Sequence, residues 1–139
     1  MIHAGTHDLT DLAQTVQRAV QDLRPYADQF DSIVTSGTSG LVVASPVALA
    51  LGKPLVIVRK EDDGPRCWHA HDVENAEHAG RRTLFLDDEV QRGRTLTHVK
   101  RQLARNTNAT VVARYEYTER QINWERSNEY AQPTRGWTW

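Results

Sequence analysis

One stretch, residues 84–96, constrains the fold of this chain more than any other. Its sequence, LFLDDEVQRGRTL, opens with an apolar run of the length of a buried strand. It continues with two carboxylates, a turn that contains a glycine, and a threonine that can cap a helix. We therefore predict a strand, an acidic pair, a phosphate-binding turn and a helix, in that order.

The two carboxylates, Asp87 and Asp88, follow the predicted strand directly. In α/β sheets the carboxyl ends of parallel strands form the crevice where ligands bind. Carboxylates there can accept hydrogen bonds from a pair of vicinal hydroxyls, such as those of a ribose. The alternative is an ordinary strand-turn-helix whose acidic end faces solvent. We favour the ligand site because of the turn that follows.

That turn leads into the N-terminus of the predicted helix, where free N–H groups and the positive end of the helix dipole attract a phosphate. A glycine allows the backbone to approach the ligand closely, and a threonine hydroxyl adds a donor. The predicted phosphate-binding residues are Gln91, Arg92, Gly93, Arg94 and Thr95. Together with the acidic pair they indicate a sugar phosphate as the ligand.

A second loop of the same kind lies between a predicted strand, residues 30–35, and a predicted apolar helix that ends at Leu51. Because Pro46 is tolerated only in the first turn of a helix or at a kink, the helix is predicted to begin between Leu41 and Ser45. The loop is small, rich in hydroxyls and flanked by glycines, which suits an anion. Its residues are Ser36, Gly37, Thr38, Ser39 and Gly40.

Two cations, Arg59 and Lys60, follow the continuous apolar run 55–58, which is typical of a strand buried on both faces. At the carboxyl edge of the sheet, across from both predicted loops, these cations could bind a diphosphate. The alternative is a solvated basic pair beside the acidic residues 61–63.

These motifs resemble, in order and spacing, those of the type I phosphoribosyltransferases, above all the adenine and orotate enzymes and small phage-encoded relatives. The stretch 84–96 resembles their motif for phosphoribosyl diphosphate (PRPP), in which two acids precede Thr-Gly-X-Thr. The run 31–60 resembles their diphosphate loop, first helix and second strand. The chain departs from the motif at Arg92, which replaces the first threonine, removing a hydroxyl donor and adding a guanidinium that can bind phosphate.

The resemblance implies transfer of phosphoribose from PRPP to a nitrogen of a base, with release of diphosphate. In this interpretation Asp87 and Asp88 hold the ribose hydroxyls, while the hydroxyl-rich loop and the two cations stabilise the leaving diphosphate. Mg²⁺ is the implied cofactor and arrives on PRPP, held mainly by diphosphate oxygens. Gln91 stands where hypoxanthine-guanine enzymes carry an aspartate, which argues against that subtype and leaves the acceptor base open.

Residues 61–80 show no apolar period, and a stretch of this length in a compact chain is usually a functional loop. In the resembling family a mobile lid over PRPP occupies this place. The side chains here that could reach a diphosphate are Arg66, His69 and His71. Cys67 and His78 are also residue types that bind zinc, but Cys-X-His-X-His is not a common zinc spacing. We therefore predict no metal bound by the protein alone.

The C-terminal stretch, residues 116–139, is polar but carries several aromatic side chains. In the resembling family a small hood beside the sheet holds the base, and aromatic rings there can stack on it. We predict Trp124 or Trp137 as the stacking platform. Packing of these rings on the core or on a second subunit is the open alternative.

The whole pattern predicts an α/β fold with a doubly wound, mostly parallel sheet of four or five strands and helices on both faces. A first helix is predicted from Thr6 or Asp8 to about Leu23, a later helix over residues 95–105 and a strand over residues 110–115. At 139 residues the chain is expected to form a single domain.

The formal net charge is −1, so nothing argues for a nucleic-acid or anionic-membrane surface. No apolar run is long enough to span a bilayer, and residues 1–9 lack the pattern of a signal peptide. Cys67 is the only cysteine, which fits a reducing compartment. We expect a cytoplasmic protein whose partners are small molecules, and the resemblance suggests a homodimer.

Two other functions stay open. A sensor that binds PRPP or a nucleotide without turnover is favoured by Arg92 and by the acidic start of the predicted lid. Regulators of this family usually carry a nucleic-acid-binding surface, and no basic stripe is evident here. A Rossmann-like nucleotide binder is less favoured, because no Gly-X-Gly-X-X-Gly follows the first predicted strand.

Overall fold

The computed structural model describes residues 9–60, 72–88 and 94–125. The strands, in chain order, are β1 Ser32–Thr35, β2 Leu55–Val58, β3 Val73–Glu74, β4 Arg82–Asp87, β5 Thr110–Glu116 and β6 Gln121–Trp124. The α-helices are α1 Leu9–Leu23, α2 Thr38–Leu51 and α3 Arg94–Asn106, and two short 3-10 helices span Arg24–Gln29 and Ala76–His78.

The six strands form one sheet in the order β3-β2-β1-β4-β5-β6. The four central strands are parallel, whereas β3 and β6 run antiparallel to their neighbours at the two edges. Helices α1 and α2 pack on one face and α3 on the other. This confirms the predicted doubly wound, mostly parallel α/β fold. The sheet has six strands rather than four or five because a short antiparallel strand extends each edge.

Strand β4 shows why the central strands read as continuous apolar runs. Leu84 and Leu86 point into the core under α1 and α2, whereas Phe85 points into the core under α3, and all three are fully buried. A parallel strand covered on both faces has no polar side, so its sequence does not alternate. The inward residues of α3 are the predicted ones: Leu96, Val99 and Leu103 are all buried.

Helix α2 begins at Thr38, earlier than the predicted start between Leu41 and Ser45, and Pro46 lies inside it. A proline in a helix interior removes one backbone hydrogen bond and costs about 3 kcal/mol. Helix packing explains why α2 nevertheless continues on both sides of Pro46. Its buried side chains on the sheet come from both halves: Val43, Ala44, Val47 and Ala48. Gly52 ends the helix in the left-handed conformation, at φ 69°.

The second part of the predicted 61–80 loop is regular structure. Residues 72–80 contain β3 and the 3-10 helix Ala76–His78, and the Asn75 side chain donates a hydrogen bond of 2.9 Å to the Leu55 carbonyl. This segment therefore extends the sheet, and only residues 61–71 of the predicted lid lie outside the described ranges. Within the described part of the chain, no helix combines the length and the apolar character needed to cross a membrane.

Candidate active site

The predicted motifs converge at the carboxyl edge of the parallel strands. From β1 the chain continues to β2 on one side of it, whereas β4 lies on the other side. The crevice between β1 and β4 is therefore a topological switch point, which is where open α/β sheets bind ligands. The loop 36–40 leaves β1 at this crevice, and Asp87 is the last residue of β4.

Gly40 brings the first turn of α2 against the ends of both strands. A Cβ atom at this position would overlap Thr35 Oγ1 and would lie 3.2 Å from Asp87 Oδ1. The Thr35 hydroxyl has little room to move, because it donates a hydrogen bond of 3.0 Å to the Leu86 carbonyl. Only glycine allows the helix to approach the acidic pair this closely.

Asp87 is a buried carboxylate, with 6% of its surface exposed. Its Oδ1 accepts a hydrogen bond of 2.9 Å from the Asp88 backbone N–H. Burial, reinforced by the neighbouring Asp88 side chain, raises the pKa of Asp87 to about 7, although the charge of Lys60 opposes the rise. A carboxyl group with a pKa near neutrality in a crevice is typical of a functional site.

The turn between β5 and β6 fixes the main chain of the acidic pair. The Tyr117 N–H donates to the Asp87 carbonyl at 3.0 Å, and the Thr118 hydroxyl donates to the Asp88 carbonyl at 2.6 Å. The Tyr117 hydroxyl also donates to the Ser39 carbonyl at 2.9 Å, which links the pair to the loop after β1. Burial, and then the two aspartates, raise the pKa of Tyr117, so its hydroxyl stays a donor.

Lys60 crosses the start of the loop that follows β1. Gly37 has a φ of +89°, and a Cβ atom there would lie 2.7 Å from Lys60 Cε and 3.3 Å from Lys60 Nζ. Glycine is therefore required by the backbone conformation, whereas the end of the lysine side chain could move away from a Cβ atom. The charge of Lys60 also opposes the rise in the pKa of Asp87.

Arg59 is fixed both by its main chain and by its guanidinium. Its N–H donates to the Asp72 carbonyl at 2.9 Å, and its carbonyl lies 2.8 Å from His98 Nε2. Its Nη2 lies 3.6 Å from Glu74 Oε2, in a pair with both side chains partly exposed. These contacts come from α3 and from β3 with the residue before it.

A cleft of about 610 Å³ lies between the loop that follows β1 and the exit of β2. Its lining includes loop residues 37–39, the two cations Arg59 and Lys60, and the carboxylate of Glu74. At the base of the loop, Ser36 is 2% exposed, and its Oγ has no hydrogen-bond partner among the described residues. The cleft has the size of a small-molecule site, and its loop and cations suit an anion.

The structure brings together the predicted acidic pair, the loop 36–40 and both cations at one edge of the sheet. Arg94 is the first residue of α3, and Thr95 is half-buried in its first turn. The remaining predicted site residues, apart from Trp124, lie outside the described ranges: Arg66, His69, His71, Gln91, Arg92, Gly93 and Trp137.

Trp124 lies elsewhere. Its ring packs edge-on against Tyr26, with 5.7 Å between ring centroids. In β6 it pairs with Ala113, whereas Asp87 pairs with Glu116, three residues further along β5. That separation is about 10 Å along the strand. The contacts of Trp124 therefore support the packing alternative rather than the predicted stacking on a base.

Three residues of the site escaped the sequence analysis: Glu74, His98 and Tyr117. Tyr117 had a signal, since it continues the alternation of buried residues that runs from Ala113 through Tyr115. His98 adjoins the inward Val99, which places it near the buried face of α3. Nothing in the sequence marked Glu74, because a strand of two residues is too short to show an alternation of apolar and polar side chains.

Among the described residues, no group of three or more His, Cys, Asp or Glu is arranged to hold a metal.

Comparison with solved structures finds similar folds among phosphoribosyltransferases. Adenine phosphoribosyltransferase from Thermoanaerobacter pseudethanolicus matches with a TM-score of 0.60 and 20% identity, over 80% of this chain and 70% of that one. Orotate phosphoribosyltransferase from Aeropyrum pernix matches with a TM-score of 0.58 and 24% identity, over 78% of this chain and 59% of that one. Orotate phosphoribosyltransferase from Francisella tularensis matches with a TM-score of 0.61 and 14% identity, over 88% of this chain and 62% of that one.

The chain thus spans about three fifths of the two orotate enzymes. No family model and no curated protein sequence matches it. The similarity lies in the arrangement of the strands and helices, which carries the crevice described above. This chain has the type I phosphoribosyltransferase fold.

Proposed function

We propose that this protein is a phosphoribosyltransferase, which transfers phosphoribose from PRPP to a nitrogenous base and releases diphosphate. The observation that carries the proposal is that the acidic pair lies against the start of α2 at the switch point of the sheet, beside the cleft that the anion loop and the two cations line. The similar solved structures are adenine and orotate phosphoribosyltransferases, which supports the same general reaction.

In this proposal Asp87 and Asp88 accept hydrogen bonds from the ribose hydroxyls. As the bond from ribose C1 to the diphosphate oxygen breaks, its electrons leave with the diphosphate and positive charge develops on the sugar. A carboxylate held in a buried site stabilises such charge strongly, because no solvent must reorganise around it. With a pKa near 7, Asp87 is readily ionised by a nearby positive charge.

The leaving diphosphate would bind in the cleft beside the loop. The backbone N–H groups of residues 37–39 lie at the N-terminus of α2, where the helix dipole favours an anion. Lys60 and Arg59 add positive charge, and the buried Ser36 hydroxyl offers a further donor. Stabilising the departing charge lowers the barrier to bond cleavage.

Mg²⁺ is part of the proposal as a companion of PRPP. A Mg²⁺ ion bound mainly by substrate phosphates takes only one or two protein carboxylates, and Asp87 and Asp88 fit that requirement. When bound, the ion would neutralise diphosphate charge.

The direct test is diphosphate release from Mg²⁺-PRPP in the presence of a panel of bases that includes adenine and orotate. We expect one base to stimulate release, and Asp88→Asn to lower the stimulated rate at least tenfold. Glu77→Gln is the matched control, because Glu77 is an acid in the 3-10 helix Ala76–His78, outside the site. Equal rates for Asp88→Asn and Glu77→Gln would contradict the proposed role of the acidic pair.

The second candidate function is a sensor of the same fold that binds PRPP without turnover. The observation that favours it is Arg92, which replaces a threonine of the PRPP motif. A sensor would bind Mg²⁺-PRPP and release no diphosphate with any base. Release that appears only in Arg92→Thr would attribute the loss of turnover to this residue.

A further inference from the structure

His98 connects α3 to the exit of β2. Its side chain is 9% exposed, and its Nε2 lies 2.8 Å from the Arg59 carbonyl oxygen. Because a carbonyl oxygen only accepts hydrogen bonds, Nε2 carries the proton and donates it. The contact joins residues that are 39 positions apart in the chain.

The position of this hydrogen bond matters because of the peptide that it fixes. The Arg59 carbonyl belongs to the peptide unit that joins Arg59 to Lys60, and that unit is planar. A hydrogen bond to its carbonyl oxygen therefore fixes the orientation of the main chain between the Cα atoms of Arg59 and Lys60. On the other side of Arg59, the Asp72 carbonyl accepts the Arg59 N–H. The two bonds hold the backbone of Arg59 on both sides of its Cα atom, one from the residue before β3 and one from α3.

We propose that His98 is a positioning residue for the diphosphate half of the site. It holds the peptide between Arg59 and Lys60 so that both cations face the cleft, and it has no contact with the substrate itself. The inference rests on the proposed function, since it assumes that these cations bind diphosphate. It assigns no role to His98 in holding the ribose 5-phosphate half, which the acidic pair would bind.

The test compares two probes on the same variants: inorganic diphosphate with Mg²⁺, and ribose 5-phosphate. His98→Leu removes the donor, and we expect it to weaken diphosphate binding about three- to tenfold, the value of one net hydrogen bond. Ribose 5-phosphate affinity should stay within about twofold. Thr107→Val is the matched control, because it removes side-chain hydrogen bonds just beyond the other end of α3: one of 2.8 Å to the Leu103 carbonyl and one of 3.0 Å from the Ala109 N–H.

Unchanged diphosphate affinity in His98→Leu, or equal weakening of both probes, would overturn the inference. If His98→Leu does not fold, the inference is tested by comparing the diphosphate affinities of His98→Gln and His98→Asn. The Gln amide can reach the carbonyl and should retain diphosphate affinity, whereas the shorter Asn should lose it; equal affinities would overturn the inference. A wild type that binds neither probe would refute the proposed function instead.

Discussion

Replacing the buried carboxylate Asp87 with asparagine should change how stability depends on pH. The wild-type side chain has a pKa of about 7 in the folded chain, against 3.8 for a free aspartate. Between these values the unfolded chain is ionised at this residue and the folded chain is protonated. Unfolding therefore releases a proton, so the free energy of unfolding falls as pH rises from about 4 to above 7.

The size of the effect follows from the same two pKa values. At roughly 1.4 kcal/mol per pKa unit, the difference corresponds to at most about 4 kcal/mol. Asparagine keeps the carbonyl oxygen that accepts the Asp88 N–H but cannot ionise. We expect Asp87→Asn to exceed the wild type in unfolding free energy by roughly 2–3 kcal/mol more at pH 8 than at pH 4.5, where the unfolded chain is already mostly ionised at this residue.

Urea unfolding followed by circular dichroism at both pH values measures this difference. Asp31→Asn is the control, because the Arg82 side chain and two backbone N–H groups lower the pKa of Asp31 to about 2. A lowered pKa contributes stability that is lost only as pH falls below about 4, so the effect of Asp31→Asn should be equal at pH 4.5 and pH 8. Parallel pH profiles for Asp87→Asn and the wild type would refute the reasoning.

Two further predictions concern the cleft. Gly40→Ala should lower the unfolding free energy by about 1–3 kcal/mol, because its Cβ would overlap Thr35 Oγ1. Gly52→Ala meets no atom within 4 Å and should cost only the strain of its positive φ, about 1–2 kcal/mol. A Gly40→Ala variant as stable as the wild type in a urea titration would contradict the overlap. Glu74→Gln should raise diphosphate affinity about two- to fivefold in low salt, because Glu74 neutralises Arg59. Calorimetry should show the gain shrinking in high salt, and no gain in low salt would count against it.

The sequence predicted the central elements well because burial on both faces leaves a strong pattern. Strands β2 and β4 are continuous apolar runs, and α1 and α3 have one apolar stripe each. The positions of the loops that follow these strands could be predicted to the same extent, whereas the roles of their residues stay predictions. The acidic pair, the loop 36–40 and the cations at 59–60 all required only the rule that parallel strands end at one edge.

Helix α2 shows where local pattern fails. It is apolar on most of its surface, so no period marks its start, and Pro46 argued for a later one. The actual start at Thr38 depends on Gly40, whose lack of a side chain lets the first turn pack on Thr35 and Asp87. That contact joins residues from different elements, and in the sequence nothing distinguishes Gly40 from the other glycines.

The edges of the sheet were predicted least well, for a related reason. Strand β3 has two residues and is held by pairing to β2, with Val73 opposite Val58 and Glu74 opposite Ile57. Its existence depends on the neighbouring strand rather than on its own propensity. For Trp124 the sequence predicts stacking on a base, with packing on the core or on a second subunit as the alternative, and its edge-on contact with Tyr26 depends on its place in β6.

The most direct test of the central claim is calorimetric titration of Mg²⁺-PRPP into the wild type and into the double variant Asp87→Asn/Asp88→Asn. The account predicts saturable binding to the wild type and at least a tenfold loss of affinity in the double variant, with both proteins folded. Absence of binding to the wild type, or equal affinity in the two proteins, would contradict the claim that this crevice holds the ribose of PRPP.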